Sequence, residues 1–301
     1  MSPETDPLSA GFDPFAGRTE PDDGAVVETP RVPLWVHDTG GEGEPVLLLG
    51  GFTAGHFAFD FVRPLLRTPR RLITWEPRGL GRSACPDPEA EPYSVAVWAE
   101  DVAALLDALE LERVQVWALG FGSYIAHRFA AAHPDRLGAL VTYTDVWARD
   151  PAKGYPQIWE VYGAIVRNFG TTDFGARVLA NVFDVSDVPW FGAWEARNIE
   201  AVLHPETVAA TVGYCLLEAD VRDDLAAITA PTLVVQGSRT WDGRELEPAD
   251  DPSLTLMRER IADLEVASIA DTHPGYVYVQ QPERAAAAAE AFLDAHPLGA
   301  T

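Results

Sequence analysis

The stretch "VQVWALGFGSYIAHRFAAAHPDRL", residues 114–137, decides how this chain is read. "VQVWAL" is short, apolar and rich in β-branched and aromatic residues, which suits a buried strand. "GSYIAHRFAAAH" is a run that suits a helix, and Pro134 blocks its continuation. Between the two lie Gly120, Phe121 and Gly122. A turn that reverses from strand to helix so sharply drives its central residue, Gly120, towards positive φ, which glycine adopts without strain. Gly122 lets the helix pack close to the strand. The expected unit is strand, sharp elbow, helix.

The same alternation extends both ways. Upstream, "VPLWVHD" (32–38) alternates like an exposed strand, and "PVLLLGG" (45–51) is a continuous apolar run ending in glycines. "RRLITWEPRGLGRS" (70–83) repeats that design. "SVAVWAEDVAALLDALEL" (94–111) places Trp98, Val102, Leu105, Leu106 and Leu109 on one helical stripe, with Ser94 as N-cap. Downstream, "GALVTYTD" (138–145), "PTLVVQG" (231–237) and "EVASIAD" (265–271) read as strands. "PSLTLMRERIAD" (252–263) and "QPERAAAAAEAFLDAH" (281–296) read as helices. Strands alternating with helices imply a parallel sheet covered on both faces.

Two segments break the rhythm. Residues 1–28 are rich in Pro, Gly, Asp and Glu without an apolar period and read as a disordered acidic tail. Residues 147–222 lose the strand runs and carry many aromatics in irregular helical stretches. They read as a helical cap inserted over the carboxyl edge of the sheet, where such sheets bind ligands. The core domain is then expected in two parts, 29–146 and 223–301.

The formal net charge is −24, from 22 basic and 46 acidic residues. That field repels phosphate backbones and anionic lipid, which speaks against nucleic-acid and membrane partners. Lys153 is the sole lysine. No apolar run approaches the roughly 20 residues of a membrane span, and the N-terminus lacks a signal-peptide pattern, so a cytoplasmic location is expected. Cys85 and Cys215 are too few and too far apart for a disulfide framework or a zinc site. Neither a metal nor a cofactor is expected.

In order and spacing, five segments together resemble the α/β-hydrolase superfamily, in the branch with a cap between the sixth and seventh strands. They are "PVLLLGGF", "WEPRGLGRS", "YSVAVWAEDVAALLDALELERVQV", "PTLVVQG" and "DTHPGYVYVQQPERAAAAAEAFL", and the likeness runs from about residue 32 to residue 296. The resemblance implies a mostly parallel sheet of about eight strands, helices on both faces and a helical cap. Its elbow carries G-x-S-x-G, with the nucleophilic serine at the centre. Here that centre is Gly120. Ser123 does not substitute, because it lies within the helix and beside Phe121 and Ile125.

The resemblance also assigns the other parts of the site. "GGFTAGH" (50–56) corresponds to the oxyanion loop, with Gly51 in the family's glycine position and the backbone N–H groups of Phe52 and Phe121 as donors. His273 in "DTHPGY" stands where the family's base sits. Its acid partner is Asp242, two residues beyond the usual position, or Asp145, after the sixth strand, or neither of them. His56 follows the oxyanion loop and is a pocket candidate. Trp147, Trp159, Tyr162, Trp190, Trp194 and Tyr214 would give the cap an aromatic lining for a hydrophobic or aromatic small molecule. Glu76 and Arg78 read as turn stabilisers.

Covalent hydrolysis lacks its attacking atom. Three functions stay open: a cofactor-free lyase, cyclase or carbon–carbon bond-forming enzyme with His273 as general base; a small-molecule-binding pseudoenzyme; and a hydrolase in which His273 activates water.

Overall fold

The computed structural model describes residues 24–143, 146–148, 164, 168, 188, 190–204, 206–212, 217–239, 245, 247–248, 250–272 and 276–299. Eight strands form one sheet in the order β1-β2-β4-β3-β5-β6-β7-β8. They are β1 (Ala25–Val27), β2 (Leu34–Asp38), β3 (Glu44–Leu49), β4 (Arg70–Trp75), β5 (Val114–Ala118), β6 (Leu137–Thr142), β7 (Thr232–Gly237) and β8 (Leu264–Ile269). β2 pairs antiparallel with β1 and β4, and every other pairing is parallel. Helices α1 (Val95–Ala108), α2 (Gly122–Ala132), α3 (Phe191–Val202), α4 (Pro252–Arg260) and α5 (Pro282–Ala295) accompany the sheet. The result is the α/β-hydrolase fold.

The local signals in the sequence act as expected. Ser94 caps α1 by accepting from the Val97 N–H at 3.1 Å. Trp98, Val102, Leu105 and Leu106 are fully buried, so the predicted stripe is the face that meets the core. β5 is buried along its whole length, as a central parallel strand must be. α2 ends at Ala132, ahead of Pro134.

One boundary differs. Ala25–Val27 lie within the stretch read as a tail, yet they form β1 through antiparallel register with Leu34–Val36. The apolar triplet "AVV" is too short to show a period, and the partner strand supplies the order. Residues 1–23 lie outside the described residues.

The β4 turn is held by buried charge. Arg78 donates to both oxygens of Asp101 on α1, at 2.6 and 2.7 Å, and Arg31 reaches the same carboxylate at 2.8 Å. Asp101 is wholly buried, so each partner is needed to offset desolvation. Glu76 accepts from the Arg82 N–H at 2.5 Å and meets His56 Nδ1 at 2.6 Å. Gly81, at φ +54°, brings the turn so close that a Cβ would fall 2.2 Å from the Glu76 carboxyl. Glu76 and Arg78 are thus the turn's framework, as their positions implied.

Removing Asp101 leaves the buried Arg78 with only the exposed Glu91 carboxylate, at 3.0 Å, as its charge partner. Asp101→Ala is expected to lower stability by about 3–5 kcal/mol in urea unfolding, while Arg78→Met with Asp101→Leu recovers much of the loss.

Candidate active site

The elbow is the centre of the site. Gly120 follows β5 with φ +52°. A Cβ built on it would meet Gly51 Cα at 3.7 Å, ordinary contact, and no other described atom within 4 Å. Gly122 is the opposite case. A Cβ there would fall 2.2 Å from the Leu49 oxygen and 2.8 Å from the Gly50 oxygen. This close approach seats the N-terminus of α2 on the end of β3. The Leu119 N–H donates to the Leu49 carbonyl at 2.9 Å and completes the seam.

α2 starts with bonds from Gly122 to Leu119 and from Ser123 to Gly120. The Phe121 N–H precedes them and donates to no backbone carbonyl among the described residues. Orphan donors at a helix N-terminus favour a negative oxygen. Ser123 is fully buried and its Oγ has no partner, so the hydroxyl is sealed inside the helix–sheet packing.

The loop after β3 faces this elbow. The Gly55 N–H closes it by donating to the Gly51 carbonyl at 2.9 Å. Gly50 has no room for a side chain, since a Cβ would meet the Gly55 oxygen at 1.8 Å, whereas Gly51 has Leu119 O at 3.9 Å as its nearest neighbour. Phe52 packs edge-on against Phe121, ring centroids 6.1 Å apart. The two proposed oxyanion donors therefore sit on adjoining residues of one packed unit.

α3 lies across the loop. Trp194 is buried and meets Phe61 at 5.3 Å and Phe191 at 5.7 Å; Trp190, half-buried, meets Phe61 at 5.1 Å. Phe191 packs edge-on against Tyr276 at 4.6 Å, joining α3 to the segment after residue 275. A Cβ on Gly55 would meet Val202 Cγ2 at 2.9 Å, so the last turn of α3 presses on the end of the loop.

Glu195 and Thr53 were not singled out from the sequence. Phe191, Trp194, Glu195, Asn198, Ile199 and Val202 are the buried face of α3, so a glutamate occupies the apolar stripe. Thr53 Oγ1 donates to Glu195 Oε1 in a short hydrogen bond. Glu195 Oε2 is buried without a partner. Burial pushes the carboxyl up to about 7, and the Thr53 bond opposes that shift only in part. A glutamate on the i, i+3, i+4 face of a helix whose other buried positions, Asn198 apart, are apolar was the available signal.

The other candidates fall in different places. His56 is buried against Glu76, with Trp35 at 4.9 Å and Phe57 at 3.8 Å between ring centroids. Its Nε2 lies 3.5 Å from Arg82, so the imidazole belongs to the β4 turn. Trp147 pairs with Asp220 and lies under the Arg222 guanidinium at 4.0 Å. It marks the place where the chain leaves the sheet and returns to it. His273, Asp242, Asp145, Trp159, Tyr162 and Tyr214 lie outside the described residues. Among the described residues, no cluster of His, Cys, Asp or Glu could hold a metal ion, and no helix is long and apolar enough to cross a membrane.

A profile of the alpha/beta hydrolase fold matches residues 44–241, and the chain belongs to that family. It is 32% identical over 171 residues to the RutD protein of Caulobacter sp. (strain K31), covering 54% of this chain and 61% of that one. It is 28% identical over 174 residues to 3-oxoadipate enol-lactonase 2 of Acinetobacter baylyi, covering 56% and 61%. The chain thus spans about three-fifths of these relatives' lengths. The enol-lactonase from Burkholderia xenovorans LB400 superposes with a TM-score of 0.74 at 20% identity, over 90% of this chain and 100% of that one. That likeness is one of fold.

Two outcomes follow from this geometry. Gly122→Ala is expected to destabilise by about 2–3 kcal/mol, whereas Gly51→Ala lowers the melting temperature far less. The second concerns Glu195, whose carboxyl ionises near 4.5 in the unfolded chain and near about 7 in the folded one. Between those values the unfolded chain has released a proton that the folded chain keeps. Stability therefore falls by about 3 kcal/mol as pH rises through that window and levels off above it. Urea titrations at several pH values should show this slope in the native protein and its disappearance in Glu195→Gln.

Proposed function

We propose that this chain is a cofactor-independent enzyme that works without a covalent intermediate on a hydrophobic, carbonyl-bearing small molecule. One observation carries the proposal. The elbow is intact, yet its centre is Gly120 at φ +52°, with room for a side chain that it lacks. In the family that centre is the nucleophile. An elbow without it leaves a bare floor in front of two backbone donors.

His273 would take a proton from an acidic C–H or O–H of the substrate. Asp242 or Asp145 would hold the imidazole in the tautomer that accepts it. The N–H groups of Phe52 and Phe121 would hold the oxyanion that forms. Trp190, the half-buried aromatic beside α3, would seat the apolar body. Lyase, cyclase and carbon–carbon bond-forming reactions, including steps on polyketide-like compounds, share this first step. RutD and the enol-lactonase supply the second reading, because an enol-lactonase opens a ring with water. In that case His273 activates water over Gly120.

The direct test uses 1-tetralone, an aryl ketone with slowly exchanging α-hydrogens. In D2O the protein should speed deuterium uptake at the α-carbon at least about tenfold over buffer, and His273→Ala should abolish the gain. Parallel incubations of lactones in H2-18O identify the hydrolytic reading by label in the product. If the protein binds 1-tetralone but promotes neither reaction, with His273→Ala binding equally well, it is a binding protein.

The floor makes a separate prediction. Gly120→Ser fits sterically and pays roughly 1–2 kcal/mol for a positive φ. It should become labelled by a fluorophosphonate probe, while the native protein stays unlabelled.

A further inference from the structure

We propose that Glu195 is a positioning residue for the oxyanion loop: reaching from cap helix α3, its carboxyl clamps Thr53 and so sets where the adjoining Phe52 N–H points. The functional half of this inference rests on Phe52 being an oxyanion donor. The clamp itself rests on contacts alone.

Three observations meet at Glu195. It occupies the buried stripe of α3 and forms no ion pair among the described residues. Its Oε1 accepts from Thr53, the residue next to Phe52. Two helical turns further along the same face, Val202 lies so close to Gly55 that a Cβ there would approach to 2.9 Å. α3 thus grips the loop at two points: a hydrogen bond at Thr53, in its middle, and a steric contact at Gly55, at its end. The internal bond from Gly55 to Gly51 makes the loop between those points one turn. Displacing Thr53 therefore moves the Phe52 N–H.

The second oxygen explains why the clamp depends on protonation. Among the described residues Oε2 has no partner, so an ionised carboxyl would bury an unpaired negative oxygen. Among the described residues, the titratable groups that face it are the phenols of Tyr276 and Tyr278, from the segment that follows His273. Burial raises both phenols, and the Glu195 charge raises them further, so they face it uncharged. The neutral acid keeps the clamp closed. Ionisation drives the carboxyl towards water and loosens α3 from the loop.

Hydrogen exchange of the amides of residues 51–55 reads the clamp without any ligand, as protection corrected for intrinsic rates. Exchange in the native protein should quicken as pH rises through about 7. In Glu195→Gln, which keeps a hydrogen bond to Thr53 but cannot ionise, protection should stay level across the same range. Thr53→Val should lose about tenfold protection at every pH, and Thr53→Ser should restore it. Calorimetric binding of 1-tetralone reads the donor separately, with affinity falling above pH 7 in the native protein and not in Glu195→Gln. Equal protection in the native protein, Glu195→Gln and Thr53→Val overturns the clamp. A clamp seen by exchange without any effect on ketone affinity upholds the contact and overturns its role in aiming Phe52. Melting curves of each variant confirm folding, and because Glu195→Gln is isosteric the comparison survives if Glu195→Ala does not fold.

Discussion

The site depends on one close approach, between the backbone at Gly122 and the carbonyls of Leu49 and Gly50. No side chain fits there, since a Cβ would lie 2.2 Å from an oxygen. Because the gap is closed by backbone alone, the N-terminus of α2 sits directly on the end of β3. Two segments far apart in sequence then present their first free positions side by side. Gly120 and Gly51 face each other, and Phe52 and Phe121 lock above them. Parallel strands put these ends on the same edge of the sheet. The fold therefore makes the site by geometry before any chemistry is specified.

The cap is tied to this edge through backbone groups and small residues. Gly81 donates to the Val202 carbonyl at 2.7 Å, and Thr207 Oγ1 donates to the Gly79 carbonyl at 2.7 Å. The end of α3 is thereby fixed to the β4 turn, which the buried Arg78–Asp101 pair fixes to α1. At the other junction Ala148 donates to Ala219 and Val221 to Val146, so the chain leaves and re-enters the core through one zipped pair. Such ties hold α3 over the oxyanion loop at a defined height. A carboxyl on that helix can then reach Thr53 without adjustment.

Most of the fold was legible in the sequence because it follows from local physics. Apolar runs bounded by glycine give buried strands, the Trp98–Leu106 stripe gives α1, and Ser94 gives its start. β1 was not legible, because a three-residue strand takes its order from its neighbour. The elbow and the oxyanion loop could be placed by resemblance, and glycine content alone announced their tightness. His56 has partners that its position in the sequence did not announce. Its position after the loop pointed to the pocket, but Glu76, distant in sequence, holds its ring in the β4 turn. Glu195 and Thr53 were missed because their importance lies in a contact spanning 142 positions. His273, Asp242 and Asp145 rest on resemblance, since they lie outside the described residues.

Where local rules are broken, the breaks cluster. Gly120 carries no side chain at a position where a Cβ would make only an ordinary contact. Glu195 places an acid where helix periodicity calls for an apolar residue, and Ser123 and Glu195 both bury oxygens without partners. The two buried oxygens work against stability: an unpaired buried oxygen costs about 1–3 kcal/mol, and a desolvated carboxyl resists ionisation. A scaffold kept only for its shape would be more stable with an apolar residue at position 195. Such conflicts between local preference and tertiary placement are expected where function constrains the sequence. One of them, Glu195, meets the loop after β3 through Thr53, and Gly120 faces the same loop at Gly51.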